Sequence, residues 1–366
     1  MKQFMQIAKI MVLLTSFIQA CAPLKRAHWE PETTNNTTLQ KIIYYASLAG
    51  SSHNSQPWKL IVDDAHHLRL FADTTRALEV VDPNYRELYI SLGAFLENLK
   101  LAAKAYGYHA RISIPSELNT KKAVATISLE STLSVSKQQR DDIIKMLEGR
   151  CTMRGNFATK EIEAKDSAYL LKQSSGAKII QTNCETGKYF SKQTLLAYKQ
   201  QNSKKSVQEE LAFWVRFSNK SVRKHCDGLT TAGMGITGIP GRVVQLFFTP
   251  KTVKGKTFVD KGIEKTAEQV VHCGGWLVIS SKQNTPADWI HVGRQYERVH
   301  LRCRQLGIGM HPMNQVIEEQ NFKTAMQTKV SGETYIQFIA RLGYVNHYPE
   351  PVSVRRSVSA FCQVTF

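Results

Sequence analysis

The chain of 366 residues lacks an apolar run long enough to cross a bilayer, and it lacks the cysteine spacing of metal and redox sites. Its seven cysteines include no Cys-x-x-Cys pair, so zinc, iron–sulfur and thioredoxin-like chemistry are unsupported. The pairs His66-His67 and His272-Cys273 have no acidic partner at ligand spacing, and we predict no metal site. Acidic residues are also few: 30 Asp and Glu stand against 48 Lys and Arg, a formal net charge of +18.

This basic excess is compatible with binding to nucleic acid, with attraction to anionic lipid, or with a basic surface that only contacts solvent. The basic residues are scattered and no aromatic-rich nucleic-acid signature accompanies them, so we expect no nucleic-acid binding. Anionic headgroups would attract a basic protein that is tethered at a membrane. A solvated basic surface is the simplest interpretation. The apolar share of 42% and the charged share of 21% are those of an ordinary globular protein.

The N-terminal segment has the pattern of an export signal. The apolar run 10–20 follows lysines and is too short to span a bilayer, as is typical of a signal peptide. It ends in the motif IQAC at 18–21, which resembles a bacterial lipobox with Cys21 as the lipidated residue; plain signal cleavage is the alternative. We predict a signal peptide at 1–20, a tether at 21–38, and an exported, membrane-anchored lipoprotein on the periplasmic side or the cell surface.

Helical and strand-like segments occur twice in the same order. In the first half, the apolar periodicity predicts helices at 39–50 and 86–107 and strands at 59–63, 68–72, 108–114 and 123–130. In the second half, it predicts a strand at 275–280, a helix at 288–306 and a strand at 335–342. The chain therefore looks like two fused, diverged copies of one α+β unit, as expected if an obligate dimer became one polypeptide.

This duplication predicts the organisation of the domains. The fold class is α+β, with two lobes that each consist of a largely antiparallel sheet packed by helices. The first lobe is 39–149, the second is 150–345, and 346–366 forms a C-terminal tail. Because the pseudo-dimer is contained in one chain, we expect the protein to function as a monomer.

The most informative segment is SSHNSQPW at 51–58, between a predicted helix and a predicted strand. Small polar residues, two side-chain amides and a proline can present several hydrogen-bonding groups to one flat polar ligand. An ordinary polar loop with an Asx-turn is the alternative. The whole segment resembles the flavin-contacting motif of the nitroreductase family. This resemblance implies that Ser51, Ser52, Asn54 and Gln56 bind FMN.

The resemblance also implies a phosphate-binding segment at the start of the second half. The sequence RCTMR at 150–154 matches the family pattern Arg-x-Ser-x-Arg, with Thr in place of Ser. We expect Arg150 and Arg154 to lie on one helix face, with the Thr152 hydroxyl at the helix start. Guanidinium groups suit a phosphate dianion because each can donate to two oxygens. The alternative is a solvated pair of arginines.

Two further parts of the implied site come from the end of the chain. The glycine-rich segment GIGMHPMNQ at 307–315 resembles the turn that nitroreductases place beside the flavin ring, which implies contacts from Met313 and Asn314. Asn314 stands where the family commonly has Glu, and a helix end followed by a loop is the alternative. Arg355 and Arg356 match the late basic residue of the family.

A mirror-image site would need the same parts from the opposite halves. It would need an arginine pair near 30–34 and an Asn-x-Gln-Pro loop near 173–176, and neither is present. One composite site is therefore expected. A fused chain with one surviving site resembles the Acg-like branch of the nitroreductase family, as do the stretches 82–88 and 91–94.

The segment GMGITG at 233–238 satisfies the Gly-x-Gly-x-x-Gly pattern. A dinucleotide fingerprint needs a strand before this pattern and a helix after it, and neither is predicted here, so we reject that interpretation. The segment has no counterpart in the first copy. Acg-like proteins carry a lid over the flavin, and we predict a lid at 227–256.

The resemblance implies an FMN-dependent oxidoreductase that passes electrons from a reduced donor, with NAD(P)H as a candidate, to an organic acceptor. The flavin carries the chemistry, so no side chain is assigned as a general acid or base. The alternative from another class is a flavin-sequestering protein whose lid blocks turnover. A purely structural lipoprotein with degenerate sites is the third interpretation.

Overall fold

The computed structural model describes residues 37–132, 134–330 and 332–365. The predicted signal peptide 1–20, Cys21 and most of the predicted tether 21–38 lie outside these residues. No helix in the described ranges is long and apolar enough to cross a membrane. Every cysteine in these ranges is a free thiol.

The first half forms a five-stranded sheet covered by helices. Its elements are α1 (Thr38–Ser47), β1 (Trp58–Val62), β2 (His67–Ala72), α2 (Arg86–Ala105), β3 (Tyr108–Ser113), β4 (Ala125–Ser131) and α3 (Lys137–Gly149). The strand order is β11-β1-β2-β4-β3, where β11 (Cys362–Val364) comes from the end of the chain and lies parallel to β1; the other pairs are antiparallel. Alternate residues of β1 are buried, as expected for a strand with one face on the core.

The second half opens with helices and one strand before an insertion. These elements are α4 (Ala164–Leu171), β5 (Ala177–Gln181) and α5 (Glu185–Asn202). The insertion contains α6 (Lys205–Trp214), β6 (Val215–Arg216), α7 (Asn219–His225), β7 (Leu229–Thr230) and α8 (Gly238–Phe247), followed by α9 (Lys256–Val271). It has a small core of its own, in which Val215, Phe217, Val244 and Val253 pack together.

The rest of the second half builds an antiparallel four-stranded sheet. Its elements are β8 (Gly275–Ser281), α10 (Pro286–Gln305), β9 (Ile308–Pro312), α11 (Gln315–Glu318), α12 (Gln320–Val330) and β10 (Tyr335–Tyr344). The strand order is β5-β8-β10-β9. Helix α10 begins before the predicted residue 288 because Thr285 forms a capping box with Asp288 and a proline occupies the first turn.

Helices α2 and α10 pack against each other about a pseudo-twofold axis. A Cβ added at Gly93 would lie 2.0 Å from the carbonyl oxygen of Ile290, and a Cβ added at Gly293 would lie 2.0 Å from that of Ile90. The contact is therefore reciprocal, as in the interface of a symmetric dimer. The rings of Tyr89 and Trp289 lie nearby at 6.0 Å, so equivalent positions of the two helices meet.

The two copies share a core but differ in their ion pairs. The largest buried cluster contains residues from both sheets and from both long helices. Glu97 of α2 binds Arg294 and Arg298 at 3.1 and 2.8 Å, whereas the corresponding Glu297 of α10 binds Arg150 at 3.1 Å. The α+β prediction is confirmed, and the predicted elements of both halves are present with small shifts at their ends. The proposed domain boundaries stay predictions.

The close helix crossing predicts a site that cannot accept a methyl group. Gly93→Ala should lower the free energy of unfolding by about 1–3 kcal/mol, because the added Cβ overlaps the Ile290 backbone. Gly155→Ala is the control, since nothing lies within 4 Å of a Cβ there. Urea unfolding at equilibrium measures both. A neutral or stabilising Gly93→Ala, as helix propensity alone would give, contradicts the packing.

Candidate functional site

The loop 51–56 joins α1 to β1 in an unusual backbone conformation. Three of its non-glycine residues have positive φ: His53 at 49°, Asn54 at 53° and Gln56 at 54°. Such conformations cost energy and persist only where surrounding contacts enforce them, most often at functional sites. The loop is therefore the most strained short segment of the described residues and the first candidate for a binding site.

Side-chain amides of this loop connect three distant parts of the chain. Asn54 accepts a hydrogen bond from the Arg355 guanidinium at 2.9 Å and donates to the carbonyl oxygens of Val354 at 3.1 Å and Gly228 at 3.3 Å. Gln56 donates to the carbonyl oxygen of Cys226 at 2.9 Å. The loop thus binds the C-terminal segment on one side and the insertion on the other.

Arg355 and Arg356, near the C-terminus, hold the loop 51–56 in place through hydrogen bonds to backbone carbonyl oxygens. Arg355 donates to the carbonyl oxygens of Ser47, Leu48 and Ala49 at 2.7–3.0 Å. Arg356 donates to the carbonyl oxygens of Gln56 at 2.6 Å and Trp58 at 2.9 Å, and its own N–H donates to the Gln56 side chain. Both guanidinium groups are buried against backbone. In this structure they position the loop, and a direct contact with a cofactor stays a prediction.

The segment 150–154 is extended, so the expectation of a shared helix face is wrong. Helix α3 ends at Gly149, and Arg150 has extended backbone angles. The N–H of Met153 donates to the carbonyl oxygen of Met310 at 3.0 Å. This hydrogen bond pairs the segment with β9, whereas in a helix the N–H would bond within the segment itself. Arg150 and Arg154 consequently point to different surroundings.

Arg150 is fully engaged inside the protein. Its guanidinium is buried, lies 3.1 Å from Glu297 and donates to the carbonyl oxygen of Leu48 at 3.1 Å. Burial lowers the pKa of Arg150, but the attraction of Glu297, together with Tyr296, Cys151 and Tyr348, more than compensates, so the pKa is raised. This ion pair joins the end of α3 to α10 and to the residues before the loop 51–56.

Arg154 differs because no carboxylate of the described residues pairs with it. Its guanidinium donates to the carbonyl oxygen of Gly233 in the insertion. Burial lowers the pKa of Arg154 to about 10, and the groups that oppose this shift are the phenols Tyr296 and Tyr198 rather than acids. Arg154 is half-buried, and a cation withdrawn from water without a counter-ion is costly, so an anionic ligand would relieve that cost. Thr152 is half-buried on the same segment.

Other basic groups surround Arg154. Burial and the charges of Arg341 and Arg154 hold the pKa of His311 well below its usual value, and Arg341 donates to the His311 ring at 3.1 Å. Burial also lowers the pKa of His53 to about 4, with Arg154 acting in the same direction and Glu87 against it. Both imidazoles are therefore neutral near pH 7. The chemistry of this group favours a small anion.

A buried glutamate links the two halves beneath the loop. Glu87 on α2 accepts hydrogen bonds from the Ser52 hydroxyl at 2.7 Å and from the Asn314 amide at 2.8 Å. Asn314 also accepts from the N–H of Ile339 at 2.9 Å. Ser51 stabilises the same loop, since its hydroxyl accepts from the Gln56 N–H at 3.0 Å. Glu87 therefore fixes two predicted ligand-binding residues, one from each half.

The predicted turn at 307–315 is largely strand. Residues Ile308–Pro312 form β9 because they pair with β10, and Asn314 then occupies the N-cap position of the short helix α11 without a capping bond from its side chain. Met313 is buried and its N–H donates to the carbonyl oxygen of Ile339 at 2.9 Å. The end of β9 nevertheless lies beside the loop 51–56, because Glu87 joins Asn314 to Ser52.

A second carboxyl group completes this network. Glu318 on α11 shares a hydrogen bond with Glu87 and accepts another from Gln201 at 2.6 Å. Burial and the charge of Glu87 raise the pKa of Glu318 well above its usual value, so Glu318 carries a proton. Burial also raises the pKa of Asp82 to about 7. The sequence alone does not reveal the roles of Glu87, Glu318 and the two histidines. The one signal is that Glu87 lies in the stretch 82–88, which resembles the Acg-like branch.

The insertion reaches the site through backbone carbonyls. Cys226, Gly228 and Gly233 accept from Gln56, Asn54 and Arg154, respectively. Asp227 anchors this segment through ion pairs with Arg76 and, at 2.8 Å, with Arg216. Gln56, Asn54 and Arg154 are predicted to donate hydrogen bonds to the ligand. In this structure all three donate to the segment 226–233 instead.

The expectation that no helix follows the glycine pattern at 233–238 is wrong. A helix, α8, does begin at Gly238, directly after the pattern. The strand before it, β7, has two residues and pairs only with β6 in a separate small sheet. A dinucleotide site needs a strand of a larger parallel sheet at this point. The dinucleotide interpretation is therefore rejected because that strand is missing here, although the helix is present.

Known proteins resemble this chain along most of its length. The "Putative NAD(P)H nitroreductase Rv3131" of Mycobacterium tuberculosis is 20% identical over 328 residues, which cover 88% of this chain and 90% of that protein. The "Putative NAD(P)H nitroreductase acg" of the same organism is 32% identical over 111 residues, 30% of this chain and 33% of that protein. The predicted resemblance to the nitroreductase family is confirmed. It spans both halves of the chain, as the Acg-like fused arrangement requires.

No family model matches the sequence. Among solved structures, a nitroreductase from Anabaena variabilis is 10% identical, with a TM-score of 0.44 over 84% of this chain and 87% of that chain.

The protonated Glu318 predicts how stability depends on pH. Its pKa is raised in the folded state, so its stabilising contribution is complete below about pH 4.5, the unfolded value, and is lost as the pH rises. Glu318→Gln should flatten the stability profile between about pH 5 and pH 8 and raise stability at the upper end, because glutamine keeps a donor and cannot ionise. Urea unfolding across that range measures it.

Asp260→Asn is the control, because Asp260 forms an exposed pair with Lys256. Its profile should follow the unchanged protein, and any slope left near pH 7 in Glu318→Gln belongs to Asp82. Parallel profiles for all three proteins contradict the buried proton.

Proposed function

We propose that this protein is an FMN-dependent oxidoreductase of nitroreductase type. The observation that carries the proposal is the half-buried Arg154, which pairs with no carboxylate of the described residues and lies beside the strained loop 51–56. The first group fits a phosphate and the second fits a flat polar ring edge. The sequence relatives are named as NAD(P)H nitroreductases, which supports the same chemistry.

The donor set fits FMN part by part. Arg154 and Thr152 would hold the phosphate, with neutral His53 and His311 adding donors at low electrostatic cost. The loop residues Ser51, Ser52, Asn54 and Gln56 would bind the ring and the ribityl chain. Met313 and Asn314 would approach the ring from the other half. Arg150, Arg355 and Arg356 act indirectly, because their guanidinium groups are committed to Glu297 and to backbone carbonyls.

Bound FMN would supply hydride and electron transfer between a reduced donor and an organic acceptor. The names of the relatives favour a reduced nicotinamide as the donor. The chain's own contribution is to hold and shield the ring, and Glu87 keeps the two halves of the site in register through Ser52 and Asn314.

Residues 227–256 act in this proposal as a lid. The carbonyl oxygens of 226–233 bind Asn54, Gln56 and Arg154, so a flavin must exchange with these contacts before those donors can reach it. The same contacts favour a second candidate function, in which the protein sequesters flavin and the closed lid prevents turnover. The two functions differ in what happens when the lid is loosened.

We also propose that the protein is exported and anchored through a lipid on Cys21, as the motif 18–21 predicts. A single chain would suffice for one site, because the α2–α10 contact already provides internally the interface that a dimer would form between subunits. We therefore propose that the protein functions as a monomer.

The phosphate role of Arg154 predicts a specific loss of affinity. Arg154→Ala should weaken FMN binding by about one to two decades, since a charge-assisted hydrogen bond contributes roughly 1.5–3 kcal/mol. Fluorescence titration with FMN gives the affinity, and flavin absorbance after denaturation gives the stoichiometry, expected to be one per chain. Arg140→Ala is the control at an exposed arginine. Unchanged affinity, or two flavins per chain, contradicts the single site.

A looser lid separates the two candidate functions. Removing all of 227–256 would also remove Val244 and Val253 from a buried cluster, so the smaller change Asp227→Asn is preferable. Losing about 1.4 kcal/mol of closed-state stability raises the open population about tenfold, and reduction of bound FMN by NADPH should accelerate by a similar factor. Anaerobic stopped-flow bleaching of the flavin band measures it, with Asp260→Asn as the control. Release of FMN without faster bleaching favours sequestration.

A further inference from the structure

Helix α8 of the insertion has an apolar face that nothing in the described residues covers. Ile239 is 77% exposed and Phe247 is 74% exposed, with Val243 and Leu246 at 45% each. These positions recur at helical spacing and form one stripe along the helix. Phe213, at the end of the neighbouring helix α6, is a further exposed aromatic at 67%. Four large apolar side chains along one face of one helix exceed the scattered exposure that is normal for a protein surface.

The opposite side of α8 explains why this stripe faces outward. Gly241 and Val244 are the buried residues of the helix, and Val244 packs with Phe217 and Val253 in the core of the insertion. The helix is therefore fixed with one apolar side inward and a second apolar side outward. Folding of the insertion does not require the outer side to be apolar.

The chain segment that carries the stripe contains basic residues and no acidic ones. Between Asp227 and Asp260 the chain contains no acidic residue, and it contains the basic residues Arg242, Lys251, Lys254 and Lys256. Lys254 and Lys256 reach the acids Glu209 and Asp260, whereas no carboxylate of the described residues pairs with Arg242 or Lys251. An apolar helix face flanked by the unpaired cations Arg242 and Lys251 complements an interface of acyl chains and anionic headgroups.

We propose that the outer face of α8 docks onto an anionic membrane surface. Ile239, Val243, Leu246 and Phe247 enter the boundary between headgroups and acyl chains, and Arg242 and Lys251 contact the headgroups. A protein partner would be recognised by acidic groups set among apolar ones, but a single helix face without any polar specificity group fits a fluid surface better. The docking contact is independent of flavin binding, and the same insertion carries the carbonyl oxygens that hold Asn54, Gln56 and Arg154.

Vesicle binding tests this surface in the full chain. All variants carry Cys21→Ser, so that a lipid anchor does not contribute. Co-sedimentation is measured with vesicles of phosphatidylglycerol and phosphatidylcholine, and with phosphatidylcholine alone. Leu246→Ser is compared with Leu196→Ser, which makes the same change at an exposed helical leucine of α5 that is 39% exposed. The pair Ile239→Ser with Phe247→Ser extends the test.

The proposal expects stronger binding to the anionic vesicles, with a partition coefficient about tenfold lower for the Ile239 and Phe247 pair, a smaller loss for Leu246→Ser and no loss for Leu196→Ser. Equal binding of all variants overturns the proposal. A self-association in the absence of vesicles that Leu246→Ser abolishes also overturns it, because a second copy would then cover the face.

Discussion

The contact between α2 and α10 is the constraint on which the rest of the structure depends. Two glycines, Gly93 and Gly293, allow the backbones to approach so closely that a methyl group at either would overlap the other helix. This fixes the two halves about a pseudo-twofold axis. The loop 51–56 of the first half consequently lies next to the segment 150–154 and the end of β9 from the second half, and neither half could assemble that group of residues alone.

Charge placement then makes the two sides of the axis different. On one side Glu97 binds two arginines of α10, while on the other Glu297 binds Arg150 and leaves Arg154 without a carboxylate. A cation withdrawn from water without a counter-ion is costly, which makes the half-buried Arg154 beside the strained loop 51–56 a candidate ligand site. Beneath it, Glu87 accepts hydrogen bonds from Ser52 and Asn314 and holds them in place, and Glu318 carries the proton of the hydrogen bond between the two carboxyl groups.

The sequence predicted the fold well because its signals are local. Periodicity located both long helices and most strands, and glycine at the helix ends marked their limits. The candidate site was predicted less completely. The arginine pair at 150–154 was expected on a helix, but pairing of that segment with β9 is a long-range choice that no local pattern reveals. The same holds for Arg355 and Arg356, whose carbonyl partners lie some 300 positions away. A buried glutamate such as Glu87 also looks, in sequence, like any polar position of an amphipathic helix.

The central claim is that one flavin binds across the two halves, with its phosphate on Arg154. A crystal structure of the protein with FMN bound tests it most directly. The account predicts one FMN per chain, phosphate oxygens within hydrogen-bonding distance of the Arg154 guanidinium, and a ring in contact with the loop 51–56 and Asn314. A flavin on the opposite side of the pseudo-twofold axis, or a phosphate that Arg154 does not touch, would contradict it.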